Sequence, residues 1–257
     1  EVFDYAAYGL TVPQKSSFYG VPWFAGMIGA EALTGPTINQ ACATGARLFG
    51  AAAGEIAIGA ASTCLIVSGD RCSNGAHLYY PAPHAPGGTG DSENWVLDSF
   101  SNDPWAKCAM VTTAENVAAR DGITTEEQHE VVLHRLAQYD DALADDAAFL
   151  KRFMTLPFEV PDARFRKVQA TMTGDSGIVR STAEGLARLK PVVPGGTVTY
   201  GGQTHPADGV AGAIVVDDPG RAAELSRDAS IEIELVSFGL ARVEKAHMPA
   251  APIPASK

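Results

Sequence analysis

Ser62–Gly69 (STCLIVSG) is an unbroken, largely β-branched run closed by glycine, which predicts a strand covered on both faces. Upstream, Arg47–Gly59 is mostly small or apolar and predicts a packed helix whose glycines and alanines let other backbones come close. Thr37–Asn39 predicts a strand feeding that helix, and strand, helix and strand at this spacing make a βαβ unit. A helix is expected from about Pro22 to Leu33, behind serine N-cap candidates. Residues Glu1 to Lys15 mix aromatic and small side chains without a clear period and predict no element.

From 76 to 107 the character changes to prolines (Pro81, Pro83, Pro86) and the glycine cluster Gly87-Gly88-Thr89-Gly90, an irregular excursion. That cluster lacks the lysine and hydroxyl residue of a P-loop and reads as a turn. Helices follow. Thr112 with Glu115 and Thr124 with Glu127 each match a capping box, predicting helices over Thr112–Asp121 and from Thr124 to about Ala144, with a short third helix over Asp145–Met154. Phe158–Val179 alternates weakly. Strands are expected at Val210–Val216 and Ile231–Phe238, around a helix at about Pro219–Ser226. The α/β pattern thus resumes after an insertion of roughly Gly75–Pro194.

Chemistry concentrates at one break. In Asn39-Gln40-Ala41-Cys42-Ala43-Thr44-Gly45 a buried strand turns sharply into a helix, with Cys42 expected in the first helical turn. Unpaired N–H groups and the positive end of the helix dipole there favour an anionic sulfur. A thiolate on such a turn is placed like the nucleophile of a strand–turn–helix elbow. The ordinary fate of a free cysteine is burial as a small hydrophobe, and that is the reading for Cys64 within its apolar run.

Bulk composition narrows the class. The chain has 257 residues, 46% hydrophobic, with a formal net charge of −11. That acidity argues against general nucleic-acid binding and requires a local basic patch for any anionic ligand. Arg164, Arg166, Lys167, Arg180, Arg188 and Lys190 form such a cluster, although runs of charge are most often solvated faces. Four cysteines without a CxxC pair suit a reducing, cytoplasmic setting. His129-Glu130-Val131-Val132-Leu133-His134 carries one residue too many for a zinc-protease motif and reads as amphipathic helix, so no metal is expected. No apolar run reaches the ~18 residues of a membrane span.

These stretches together resemble the thiolase family. Asn39-x-x-Cys42-Ala43-Thr44-Gly45 is similar to its nucleophile motif, Met110-x-Thr112-Thr113-Ala114-Glu115-Asn116-Val117-Ala118 to the start of its loop-domain helices, and Gly196-Thr197-Val198-Thr199 with Asp208-Gly209 to its return into the core. Pro252-Ile253-Pro254-Ala255-Ser256 is similar to the segment opening the family's C-terminal half. The resemblance implies an α/β fold: a thiolase-like βαβαββ layered sheet domain (1–75 and 195–218), an inserted, mainly helical loop domain (76–194), and the start of a truncated C-terminal domain (219–257).

It also implies a CoA-dependent acyltransferase of lipid metabolism, with coenzyme A as substrate and no tightly bound cofactor, working as a homodimer or tetramer. Cys42 is then the acyl-accepting nucleophile. Met110, Thr204 (where the family usually has serine) and Arg180 become candidate contacts for CoA. Three positions depart from the family pattern: Thr44 for serine, Ala109 for a histidine and Gly202 for an asparagine. The family's activating histidine and second cysteine are expected beyond Lys257, so the fragment alone is expected to be inactive and to expose apolar surface. Among the six histidines present, His84 and His205 are the candidates near the site. A CoA-binding or scaffolding protein without catalysis is the alternative.

Overall fold

The computed structural model describes residues 2–204 and 207–257. They pack as two compact units. The first, a sheet unit, runs to Met110 and resumes from Ala207 to Ala241 and from Pro252 to Lys257; the second, a helical unit, comprises Val111–Thr204 and Arg242–Ala251.

The sheet unit is organised by β1 (Tyr5–Gly9), a strand the sequence pattern does not announce. Its neighbours are β2 (Thr37–Ile38) and β3 (Thr63–Asp70), both parallel to it, and β8 (Gly209–Val216) pairs antiparallel with β3 from Thr63↔Val216 to Asp70↔Gly209. The order is therefore β2-β1-β3-β8.

Ala6 and Ala7 of β1 are both wholly buried, on opposite faces. Ala6 packs with Val21 and Ala25 of α1 (Val21–Met27), while Ala7 packs with Leu48 and Ala52 of α2 (Thr44–Ala57) and with Cys64 and Ile66 of β3. The sheet is thus the middle of three layers, and small side chains in β1 let both helices approach it. A strand buried on both faces has no polar side to alternate with, which is why its pattern is mute.

Helix ends follow local chemistry. α1 stops at Met27, well short of Leu33, because Gly29 takes φ +75° and the N–H groups of Ala30 and Gly29 bond to the carbonyls of Ala25 and Gly26. α2 ends the same way at Gly59, φ +72°, with Ala60 N–H on Glu55 and Gly59 N–H on Ile56. Both are Schellman closures.

Residues 77–101 are less irregular than their composition suggests. β4 (His77–Tyr80) and β5 (Asp91–Asn94) form an antiparallel hairpin whose connection turns through Gly87 and Gly88 at φ +75° and +67°. α3 (Trp95–Ser101) is capped by Asn94, whose Oδ1 accepts from Leu97 N–H. Trp95 Nε1 donates to the Thr11 carbonyl at 2.8 Å, which ties this segment to the sheet unit. The division between the two packing units falls after Met110.

In the helical unit, α4 (which begins at Met110 and runs to Asp121) is followed by α5 (Thr125–Ala147). The Thr124–Glu127 capping box is present, each side chain bonding the other's backbone N–H. The proposed box at Thr112 is not formed: α4 already begins at Met110, and Glu115 turns toward residues 197–198. The expected helix over 145–154 is also absent. Asp145, Asp146 and Ala147 take φ between +50° and +58°, and only a 3-10 turn, Leu150–Arg152, follows. The weakly alternating stretch becomes the hairpin β6 (Phe158–Pro161) and β7 (Val168–Met172), before α6 (Ala183–Ala187).

α7 (Pro219–Leu225) and the short α8 (Pro252–Ala255) return to the sheet unit. Ile231–Phe238 is not a strand. Among the described residues it has no strand partner, and Ile233 and Val236 are 89% and 85% exposed. Its anchor is Phe238, which lies against Gly50 of α2 with the Arg47 guanidinium 5.5 Å from its ring centroid.

Candidate active site

β2 ends at Ile38 and α2 begins at Thr44, and the five residues between them make a turn held by its own polar groups. Asn39 Oδ1 accepts the Ala41 N–H at 2.9 Å. Thr44 Oγ1 accepts the Gln40 N–H at 2.8 Å and donates to the Ala41 carbonyl at 2.7 Å. Ala41 sits at φ +46°, a left-handed conformation costly to a residue with a Cβ, and these three bonds hold it there. Cys42 follows directly and is exposed.

Cys42 lies outside the helix, not in its first turn: Ala43 is the N-cap and supplies no capping side chain. The sulfur therefore stands just ahead of an uncapped N-terminus, where the dipole of a 14-residue helix is positive. The turn sits where the sheet changes direction. From β1 the chain steps to β2 on one side, then crosses over α2 to β3 on the other. In open α/β sheets the crevice at such a reversal, beyond the carboxyl ends of parallel strands, is where ligands bind.

Further carboxylates brace this edge. Asp70, the last residue of β3, accepts the N–H groups of Thr11 and Val12 at 2.8 Å each and the Thr11 hydroxyl. Asp208, entering β8, accepts the Ser73 hydroxyl and N–H, which hold its carboxyl below the ordinary range. Neither role is readable in the sequence, since the partners lie 58 to 135 residues away.

The other three cysteines are less exposed than Cys42. Cys64 is fully buried, and burial, followed by the charges of Asp4, Glu55 and Asp217, pushes its thiol up to about 11. Cys72, half-buried, is pushed up by burial, Asp70 and Asp208.

Of the remaining site residues expected from the sequence, Met110 opens α4 at the boundary of the sheet unit, half-buried. Arg180 and Thr204 belong to the helical unit. Arg180 pairs with Asp140 and lies over Tyr139, 5.6 Å from the ring centroid. Thr204 is exposed, just after the 3-10 turn Tyr200–Gly202. The histidines engage elsewhere: His129 Nε2 meets Thr199 Oγ1 at 2.8 Å, and His77 Nε2 meets Asn94 Nδ2 at 3.3 Å. His84 is exposed in the β4–β5 connection, and His205 lies outside the described residues. A cavity of about 450 Å³ beside Asp4, Ser62 and Arg221 opens at the start of β1, the opposite end from the Cys42 turn.

A mostly parallel sheet between two helix layers, with an exposed cysteine at a strand-to-helix turn, defines an α/β protein. The model of the thiolase N-terminal domain matches residues 24–218, and the chain belongs to the thiolase family. It is 30% identical to an acetyl-CoA acetyltransferase of Yarrowia lipolytica over 196 residues, 76% of this chain and 47% of that relative. It is 29% identical to an acetyl-CoA acetyltransferase of Escherichia coli over 234 residues, 89% of this chain and 57% of the relative. The chain thus spans about half the length of these curated relatives. The fold is that of human mitochondrial 3-ketoacyl-CoA thiolase, with a TM-score of 0.80 at 22% identity, covering 100% of this chain and 64% of that one. Among the described residues, no helix is long and apolar enough to cross a membrane.

Proposed function

We propose that this chain carries the acyl-accepting part of a CoA-dependent acyltransferase of the thiolase type. The observation that carries the reading is the exposed Cys42 on its braced turn, inside the region that matches the thiolase domain. In the proposed step, the Cys42 thiolate adds to the thioester carbonyl of an acyl-CoA. The tetrahedral intermediate collapses by breaking the bond to the CoA sulfur, which leaves as a thiolate. Sulfur suits both ends of this exchange, being a good nucleophile and a good leaving group. The acyl-cysteine then passes its acyl group to CoA or to an acyl-CoA carbanion.

CoA enters here as a substrate. We place Met110 and Thr204 beside its pantetheine arm and Arg180 at its nucleotide end, the last in competition with Asp140 for the same guanidinium. Residues 1–75 with 195–218, 76–194 and 219–257 serve in this reading as sheet domain, loop domain and opening of the second half. The acidic composition supports a partnership with small acyl thioesters over nucleic acid. From the family resemblance alone we further propose a place in lipid metabolism, a cytoplasmic location and a homodimer or tetramer.

The test is acetyl-CoA added to the protein at its full natural length, with intact mass and peptide mapping as readout. One acetyl group on Cys42, absent from Cys42→Ala, is expected. An unmodified wild-type protein of full natural length overturns the reading and leaves only CoA binding without catalysis.

A further inference from the structure

Residues 196–199 are held by side chains from two helices of the helical unit. Glu115, on α4, accepts the Thr197 N–H at 3.0 and 2.8 Å with its two oxygens, the Thr197 hydroxyl at 3.1 Å and the Val198 N–H at 2.9 Å. A Cβ at position 196 would lie 2.2 Å from Glu115 Oε1, so the carboxylate occupies the space that a side chain there would need. From α5, Thr125 donates to the Thr197 carbonyl at 2.7 Å, Gln128 donates to Thr197 Oγ1 at 3.0 Å, and His129 meets Thr199 Oγ1 at 2.8 Å. Thr199 is 1% exposed. Beyond it the chain makes the Tyr200–Gly202 turn and reaches exposed Thr204.

None of the described ion pairs includes Glu115. Among the described residues, its carboxylate hydrogen bonds all go to this loop. Charge-assisted bonds to successive N–H groups are short, directional and about twice as strong as neutral ones, so the carboxylate helps to set the loop's geometry. The sequence pattern, by offering Glu115 as a capping-box residue, pointed to the wrong partner.

We propose that Glu115 is a positioning residue for substrate: through Thr197 and Val198 it fixes the segment that presents Thr204 to the pantetheine arm of an acyl-CoA. This rests on the acyl-transfer reading above. Loss of the clamp weakens capture of donors that carry the arm and leaves the sulfur's intrinsic reactivity intact.

The experiment compares acylation of Cys42 by acetyl-CoA and by an aryl thioacetate, which has no pantetheine arm, in the full chain and its Glu115→Ala and Glu115→Gln variants. For Glu115→Ala the half-saturating acetyl-CoA concentration is expected to rise about tenfold or more, the loss of a charged hydrogen bond. The limiting rate and the rate with aryl thioacetate stay unchanged. Glu115→Gln, which keeps one acceptor oxygen, recovers part of the loss. An equal loss with both donors means that Glu115 only supports the fold, and no loss with either means that it does not position the loop; each overturns the proposal. Should Glu115→Ala fail to fold, Gln128→Ala, which removes one bond to Thr197, must show the same donor-selective effect in smaller measure, and its absence overturns the proposal as well. A wild-type chain that aryl thioacetate acylates and acetyl-CoA does not would overturn the acyl-CoA reading itself, and the positioning role with it.

Discussion

Gly9 and Thr44 stand so close that a Cβ on residue 9 would lie 2.8 Å from Thr44 Cγ2, and 2.9 Å from Leu48 Cδ1. Gly9 pairs with Ile38, the last residue before the Cys42 turn, and Thr44 carries the hydroxyl that ties that turn together. The missing side chain at position 9 is what lets α2 begin where it does.

Gly9→Ala is therefore expected to push α2 off β1. Overpacking of this kind costs about 1–3 kcal/mol. Thermal unfolding should show a lowered Tm, and acylation of Cys42 should slow with it. An unchanged Tm would mean that α2 yields without strain.

The cysteines should separate cleanly by reactivity. With its thiol pushed up to about 11, Cys64 holds roughly one part in ten thousand as thiolate at neutral pH, and it is also fully buried. Brief treatment with iodoacetamide at pH 7, followed by peptide mapping, should mark Cys42 and leave Cys64 unmodified until denaturant is added. Prompt labelling of Cys64 in the native protein would contradict the core described for it.

Acid should loosen the start of the sheet. Asp4 accepts the Ser62 N–H and hydroxyl at 2.9 Å each and the Thr63 N–H at 3.0 Å. Burial pushes its carboxyl up, but these bonds outweigh burial and leave it below 3.8. A carboxyl lowered in the folded state stabilises above its unfolded value and loses that contribution as pH falls through the folded one. Asp4→Ala should thus lower the urea midpoint at pH 7, and the difference from wild type should shrink below about pH 4. A difference that is constant with pH would assign the effect to packing.

Some of this was legible residue by residue. Thr63–Asp70 announces itself because a central strand needs β-branched bulk. Thr124 with Glu127 announces the start of α5 because capping is local chemistry. Cys42 was legible as a candidate because a strand, a tight polar turn and a small-residue helix follow one another directly. Thr112 with Glu115 carries the same local signal as the genuine box, yet the glutamate's better partners are backbone N–H groups 82 and 83 residues away.

By itself, then, the sequence determined the elements whose causes lie within a few residues: the β3 run, the α5 cap and the turn that carries Cys42. Tertiary structure alone decided that Tyr5–Gly9 is the strand at the heart of the sheet, that Ile231–Phe238 is no strand, and that Glu115 serves a distant loop. The physical reason is common to all three. Strand pairing and the hydrogen bonds of a carboxylate are satisfied by groups far along the chain, and no local pattern records which groups those will be.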